Sequence, residues 1–396
     1  MKNHTQTITF TAVLIFLCAY FMQIFNLPNV IGVGIGAVLC LIMLLQQKKF
    51  RIDLGICLLA ITMLSYYVII NGMRGAFFVV LYIPLILYEI GNYAVCAIKK
   101  GEKYIEKLRM LVGAFVMGFA IHGILNAYMY YAGYVIPGTR QWADFWHRGI
   151  VPGTQHTAYF LPVFALAFPA VAYFVKRKWS GFVILAMTAF FGYTSLATKS
   201  RMAVLIFALV CCLQVVIYVF TEQDKVKKLI CDKRFWIAVG IMLVAVAGVG
   251  VAVKDSAVVV AFSENMSKGG GILKNVRFEA QRLAMKQLFT YPMGGRFMDL
   301  GRTYCHNTWL DMANAAGLIP FFAFAGYTMY TAWETIRMVL SRGVAPEMKM
   351  IMAGLYFAFF LYMSVEPALD ASIHLVTPWI FVNGLIHGCV SKERRS

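Results

Sequence analysis

TKSRMAVLIFALVCCLQVVIYVFTEQDK (198–225) reads as a membrane span with both of its ends marked. From Met202 to Thr221 no side chain carries a charge, and Gln214 is the one amide. About 20 apolar residues wound as an α-helix cross a hydrocarbon layer of about 30 Å. Lys199 and Arg201 bound the run on one side, and Glu222, Asp224 and Lys225 bound it on the other.

Outward from this span at 202–220, similar runs recur at 8–25, 30–45, 52–70, 76–98, 110–134, 157–175 and 181–197, then at 236–253, 308–333, 350–365 and 373–390. Together they predict about twelve transmembrane helices. The 396 residues are 61% hydrophobic and only 14% charged, with mean hydropathy +0.71. A soluble domain carries roughly 25% charge, so a soluble enzyme is excluded. No internal repeat or low-complexity linker divides the chain. The expected fold is one all-α polytopic membrane domain over 1–396. Lys2 precedes the run at 8–25, which is long for a signal segment and lacks a small-residue cleavage site, so it reads as a retained first span.

The net charge of +18 suggests nucleic acid on a soluble protein, but here it follows the loops. QQKKFR (46–51), KKGEKYIEKLR (99–109), KRK (176–178), the lysine-rich 221–235 and the tail SKERRS fall on one side of the alternating spans. About 23 of the 36 Lys and Arg lie on that side, which the positive-inside rule makes cytoplasmic. Both termini are then inside, as in a multi-pass protein of the cytoplasmic membrane. The nine cysteines show no paired spacing and read as small buried hydrophobes. Cys305, beside His306, lacks a visible activating constellation for a catalytic thiol.

The cations left on the outer side differ in kind. Eight are Arg: Arg74, Arg140, Arg148, Arg201, Arg277, Arg282, Arg296 and Arg302. Inside, Lys outnumbers Arg by about two to one. Orientation needs only charge, whereas a planar five-donor fork matters for a two-point grip on phosphate. The outer face therefore reads as a site for a phosphorylated anion. Two outer loops are large enough to build it. The first, 135–156, mixes Arg140, Arg148, His147 and His156 with Trp142, Phe145 and Trp146, aromatics that suit either the membrane interface or a sugar face. The second, 254–306, lies between the ninth and tenth spans. It carries Gly269-Gly270-Gly271 and then LKNVRFEAQRLAMKQLF (273–289) before Pro292. That stretch reads as a basic helix on the outer leaflet, with Arg282 and Lys286 sharing a face.

Three stretches in this outer set form a recognisable series. KSRMAVLIFAL (199–209) opens a helix with a Ser-Arg pair. Arg277-Phe278-Glu279 is followed by Pro292 and then Gly294-Gly295. His306-Asn307-Thr308-Trp309-Leu310 leads to Gly317-Leu318-Ile319. In this order and on one face, they resemble the O-antigen ligase/O-antigen polymerase family of bacterial envelope glycosyltransferases. Three departures stand out. Gln281 occupies a position where the family usually has Trp, the glycine turn is Gly-Gly-Arg, and His156 stands where the family has Asn.

The resemblance implies a GT-C-like membrane fold and a reaction. An undecaprenyl-diphosphate-linked glycan donates its sugar chain to an acceptor hydroxyl at the outer face, without nucleotide sugar, cofactor or metal. Arg201 and Arg277 would hold the diphosphate, and His306 would act as base or orienter. Arg140, Arg148, Arg282, Arg296, Arg302 and Asn307 would supply further substrate contacts. The partners implied are the lipid-linked glycan donor, the glycan acceptor and the bilayer, with no nucleic acid.

Each residue also has a plainer reading. His306 can be a solvated interface histidine, and Asn307 can be a helix cap. Several of the arginines can meet lipid headgroups. Arg201 is harder to dismiss, because a cation at a helix start is electrostatically misplaced unless an anion binds there. His122 and Asn126 in the fifth span read as helix-to-helix hydrogen bonding or as a proton relay. Glu89 reads as a snorkelling carboxylate, Gly32, Gly34 and Gly36 as packing positions, and Glu366 and Asp370 as groups that assist as acid or position an acceptor. Polymerase activity on a cell-surface polysaccharide is favoured slightly over ligase-type transfer to a terminal acceptor. A lipid-linked oligosaccharide flippase is the rival class, and it would need a polar pathway through the bundle.

Overall fold

The described residues are mostly helical. The computed structural model describes residues 2–24, 30–47, 52–71, 82–98, 103–137, 139–146, 149–174, 178–233, 256, 260, 276–371 and 375–393. The first half comprises α1 (Lys2–Phe21), α2 (Val30–Gln47), α3 (Leu54–Asn71), α4 (Tyr82–Ala97) and α5 (Lys103–Tyr131). A hairpin of β1 (Gln141–Ala143) and β2 (Ile150–Pro152) leads into α6 (Gly153–Ala158), α7 (Leu161–Pro169) and a π-helical turn, Ala170–Phe174. Next come α8 (Lys178–Ala197), α9 (Arg201–Thr221) and α10 (Gln223–Cys231). The last group is α11 (Val276–Gln287), α12 (Thr308–Ala316), α13 (Leu318–Leu340), α14 (Pro346–Met363), α15 (Ala368–Ala371) and α16 (Thr377–Glu393).

Five helical stretches are long and apolar enough to cross a membrane: Val30–Gln47, Tyr104–Tyr131, Gln155–Tyr173, Trp179–Ala197 and Arg201–Thr221. Gln6–Phe21 and Leu54–Ile70 are shorter apolar helices. The protein is thus a helical membrane protein. The expected spans at 76–98, 350–365 and 373–390 coincide with α4, α14 and α16, whereas the one at 236–253 falls outside the described residues. On α8, Trp179 and Phe182 are exposed to 81% and 65%, as suits side chains that face lipid rather than water.

Two expected spans are not single straight helices. The one at 157–175 is assembled from α6, α7 and the π-helical turn. Pro162 sits in the first turn of α7, and Pro169 inside it lacks the N–H that an unbroken helix needs. The one at 308–333 breaks at Gly317, whose φ of +85° divides α12 from α13. The cause is a backbone knot. Leu318 N–H donates to Pro292 O at 2.8 Å, Gly295 N–H to Ala315 O at 3.1 Å and Arg296 N–H to Asn314 O at 2.7 Å. A Cβ on Gly317 would collide with Pro292 O, and one on Gly294 would sit 2.5 Å from Gly317 N. Only glycines fit this crossing.

The core lies at the junction of α1, α5, α14 and α16. Phe21 meets Phe115 at 4.7 Å, Phe115 stacks on Phe381 at 5.4 Å, and Phe119 meets Phe359 at 5.9 Å between ring centroids. α4 and α16 pack closely because Gly384 brings their backbones together at Tyr88. Gly36 on α2 packs against Ile86 and Phe16. Glu89 does not snorkel: it is buried and accepts from Asn92 Nδ2 at 3.2 Å.

Staples at one end of the bundle join Arg109 to Glu347 and Tyr173 Oη to Glu222. The opposite end gathers the hairpin, the starts of α9 and α12, and the end of α14. Asp144, 2% exposed, organises the hairpin there. His122 Nε2 and Asn126 Nδ2 both lie 3.0 Å from its Oδ2. The other ring nitrogen of His122 contacts Met22 O at 2.8 Å. These intramembrane polar groups are spent on pinning a loop. Trp142 and His156, expected at an interface or a sugar, are instead buried and stacked on each other at 4.1 Å.

Candidate functional site

The local geometry of His306 follows from Asp311, one turn into α12. Its carboxylate accepts Cys305 N–H at 2.8 Å and Asn307 N–H at 2.9 Å. The residue between is forced outward, with φ at +58°. Gln281 Nε2 on α11 holds the His306 carbonyl at 3.0 Å. A non-glycine residue in this region costs about 1–3 kcal/mol and persists only where its surroundings over-determine it. Here three hydrogen bonds do so. Asn307 caps α12, its side-chain oxygen accepting Leu310 N–H at 3.1 Å while Nδ2 donates to Ser364 O at 3.2 Å.

The imidazole faces Glu366, in the turn after α14. His306 Nδ1 lies 3.4 Å from Glu366 Oε2, and Arg277 Nη1 donates to Glu366 Oε1 at 2.7 Å and to Val365 O at 2.9 Å. Arg277 comes from α11, which packs on α12 through Ala280, Ala284 and Leu288 against Cys305, Leu310 and Ala313. Glu366 itself is 5% exposed. Its carbonyl accepts Thr308 Oγ1 at 2.8 Å and Ala368 N–H at 2.9 Å, which fixes the main chain beneath the carboxylate.

These groups line a cavity of about 370 Å³, together with Arg140, Ser200, Tyr304 and Tyr362. Arg140 Nη1 donates to Lys199 O at 3.2 Å. Its guanidinium is held below its ordinary pKa by partial burial first, then by Arg277 and Arg201, with Glu366 opposing. Arg277 and Arg201 thus both act on Arg140, and among the described residues Glu366 is the carboxylate that lines the cavity. Arg201 opens α9, where Ser200 is the N-cap and makes no side-chain capping bond. Cation and helix N-terminus carry the same sign at that point, so the cavity end holds an excess of positive potential suited to a multiply charged anion.

The expected site residues divide accordingly. Arg140, Arg277 and His306 line the cavity, and Arg201 acts on it at short electrostatic range. Asn307 is the helix cap. Arg282 and Arg302 are exposed and outside the cavity lining, and Arg296 lies over the Tyr304 ring at 5.9 Å. Arg74, His147, Arg148 and Gly269-Gly270-Gly271 lie outside the described residues. The sequence reading underweighted Glu366 and missed Tyr362, both cavity-lining. Glu366 follows Arg277 by 89 positions and His306 by 60, so no local spacing announces it; its only signal was an acid in the outer SVEPALD turn. Cys305 is buried, and burial, then the Asp311 carboxylate, pushes its thiol up. It is no thiolate nucleophile near neutral pH. Among the described residues no group of three or more His, Cys, Asp or Glu is placed to hold a metal ion.

The chain matches no family model, and no curated sequence matches it.

Proposed function

We propose that the protein is a membrane glycosyltransferase which moves a glycan from an undecaprenyl-diphosphate-linked donor to an acceptor hydroxyl. The observation that carries this reading is that Arg140 and Arg277 line one cavity with His306, at the end of the bundle where Arg201 opens α9 and acts on Arg140. Guanidiniums grip the diphosphate in two-point fashion. The acceptor oxygen attacks the anomeric carbon and its proton passes to His306. The bond from that carbon to the diphosphate oxygen breaks, and the lipid diphosphate departs with the bonding electrons. Positive groups already in place for that leaving charge lower the barrier without reorganising. Each such donor is worth roughly a factor of 10²–10³ in rate.

The end that carries the cavity is read as outward because about 23 of the 36 Lys and Arg fall in loops on the other side, which puts both termini in the cytoplasm. The acceptor is read as another lipid-linked repeat, which makes the enzyme a polymerase of a cell-surface polysaccharide; ligase-type transfer differs only in acceptor. The test is the mass profile of lipid-linked and surface glycans in cells lacking the gene. Single repeats at the surface without long chains are the expected result. Long chains stranded on the lipid carrier assign ligase activity instead. An unchanged profile overturns both.

A further inference from the structure

We infer that Glu366 is a displaceable counter-ion: it pairs with Arg277, and an incoming diphosphate replaces it there and hands the carboxylate to His306. This rests on the reading of the cavity as a lipid-diphosphate site, and it gives that site an order of events.

The carboxylate is divided between two partners. One oxygen takes the short charge-assisted bond from Arg277, and the other stands 3.4 Å from His306 Nδ1, at the outer limit of hydrogen bonding. Any anion that takes up the Glu366-facing Nη1 of Arg277 must compete with Oε1. The main chain at 366 is clamped by Thr308 and Ala368, so the exchange needs side-chain rotation and no movement of the turn. There is room for it. A second cavity of about 10 Å³ adjoins the first, lined by Thr157, Ser200, Tyr362 and Glu366, enough for about one water. The Tyr362 hydroxyl is buried and has no hydrogen-bond partner among the described residues, and Tyr362 lines both cavities. It can receive either the shifted carboxylate or that water.

The charges balance better after the exchange than before it. With the diphosphate bound, the guanidiniums of Arg140 and Arg277 face a multiply charged anion. Glu366 is then free to hold the imidazole through Nδ1, leaving the opposite nitrogen toward the acceptor. When the acceptor proton arrives, the imidazolium has its carboxylate alongside, as an oriented general base requires. While the carboxylate bonds Arg277 at 2.7 Å it stands 3.4 Å from His306, so the base is poorly supported until the donor takes its place on Arg277. Glu366 is in this account a positioning residue, acting through His306.

The experiment uses the full chain in nanodiscs, with inorganic pyrophosphate as the probe, measured by calorimetry beside steady-state transfer. Glu366→Gln removes the competing charge, and we expect pyrophosphate to bind roughly tenfold tighter, the weight of one charge-assisted bond. Transfer at saturating donor should fall roughly a hundredfold while KM for the donor does not rise. A merely structural glutamate would weaken binding and turnover together. Pyrophosphate affinity in Glu366→Gln at or below wild type overturns the displacement. No pyrophosphate binding by the wild type, or binding that Arg277→Ala leaves unchanged, overturns the diphosphate reading itself. If Glu366→Gln does not fold, Glu366→Asp shortens the arm and reads the same competition: affinity above wild type supports it, and affinity at or below overturns it.

Discussion

At the scale of single residues, the site separates cations that face the cavity from cations that only share its end of the molecule. Arg277→Lys keeps the charge and loses the planar fork. We expect transfer to fall roughly a hundredfold, as for loss of one oriented donor, in assays with purified protein and lipid-linked donor. Arg282→Ala, one turn along the same helix but exposed, should change that rate less than about twofold. Equal losses would show that net charge, not geometry, is what matters. Asn307→Ala removes the α12 cap and the bond to Ser364 O. It should cost about 1 kcal/mol of stability, read as a lowered unfolding midpoint in detergent. Asn307 shows how far local reading reaches: a cap is written in four consecutive residues, Asn307 to Leu310, so that role could be weighed beside substrate contact before any tertiary contact was known. Glu366 shows where that reach ends, because its partners are far along the chain.

At the scale of elements, the decisive feature is the crossing of turn 292–296 with the break between α12 and α13. It couples α11, which carries Arg277, to α12, which begins beside His306. Gly317→Ala places a Cβ against Pro292 O at a φ of +85°. We expect destabilisation above about 1 kcal/mol, with loss of transfer exceeding what the shift in melting explains. Retained activity and an unchanged midpoint would disprove the knot. The sequence showed the same glycines but not their use. A glycine in an apolar run reads equally as a helix-packing position, and only the approach of Pro292 O decides that it ends a helix. Trp142 misled for a similar reason. An aromatic beside cations fits a headgroup belt by composition, whereas its indole Nε1 in fact donates to Asn126 O at 3.1 Å inside the bundle.

At the scale of the whole molecule, the end that bears the cavity is opposite the end where lysines gather. With exposed Cys212 and Cys231 replaced by serine, Thr139→Cys should react with an impermeant maleimide in intact cells. Gln223→Cys should react only after the membrane is permeabilised. The reverse pattern would invert the protein and remove the cavity from the face where an outer-leaflet donor arrives.

The apolar runs by themselves determined that this is a helical membrane protein and roughly where its helices lie. Loop charge set the expectation of which loops share a side. Both depend on residues near one another in the chain, where solvation and helix geometry act without regard to the rest of the fold. Only the tertiary structure decided which of the outer arginines converge, that Glu366 joins Arg277 to His306, and that His122, Asn126 and His156 serve the scaffold. Those outcomes rest on contacts between distant segments, and a sequence expected to place eight arginines on one face is compatible with many such pairings. The packing of α11, α12 and the turn after α14 selects one.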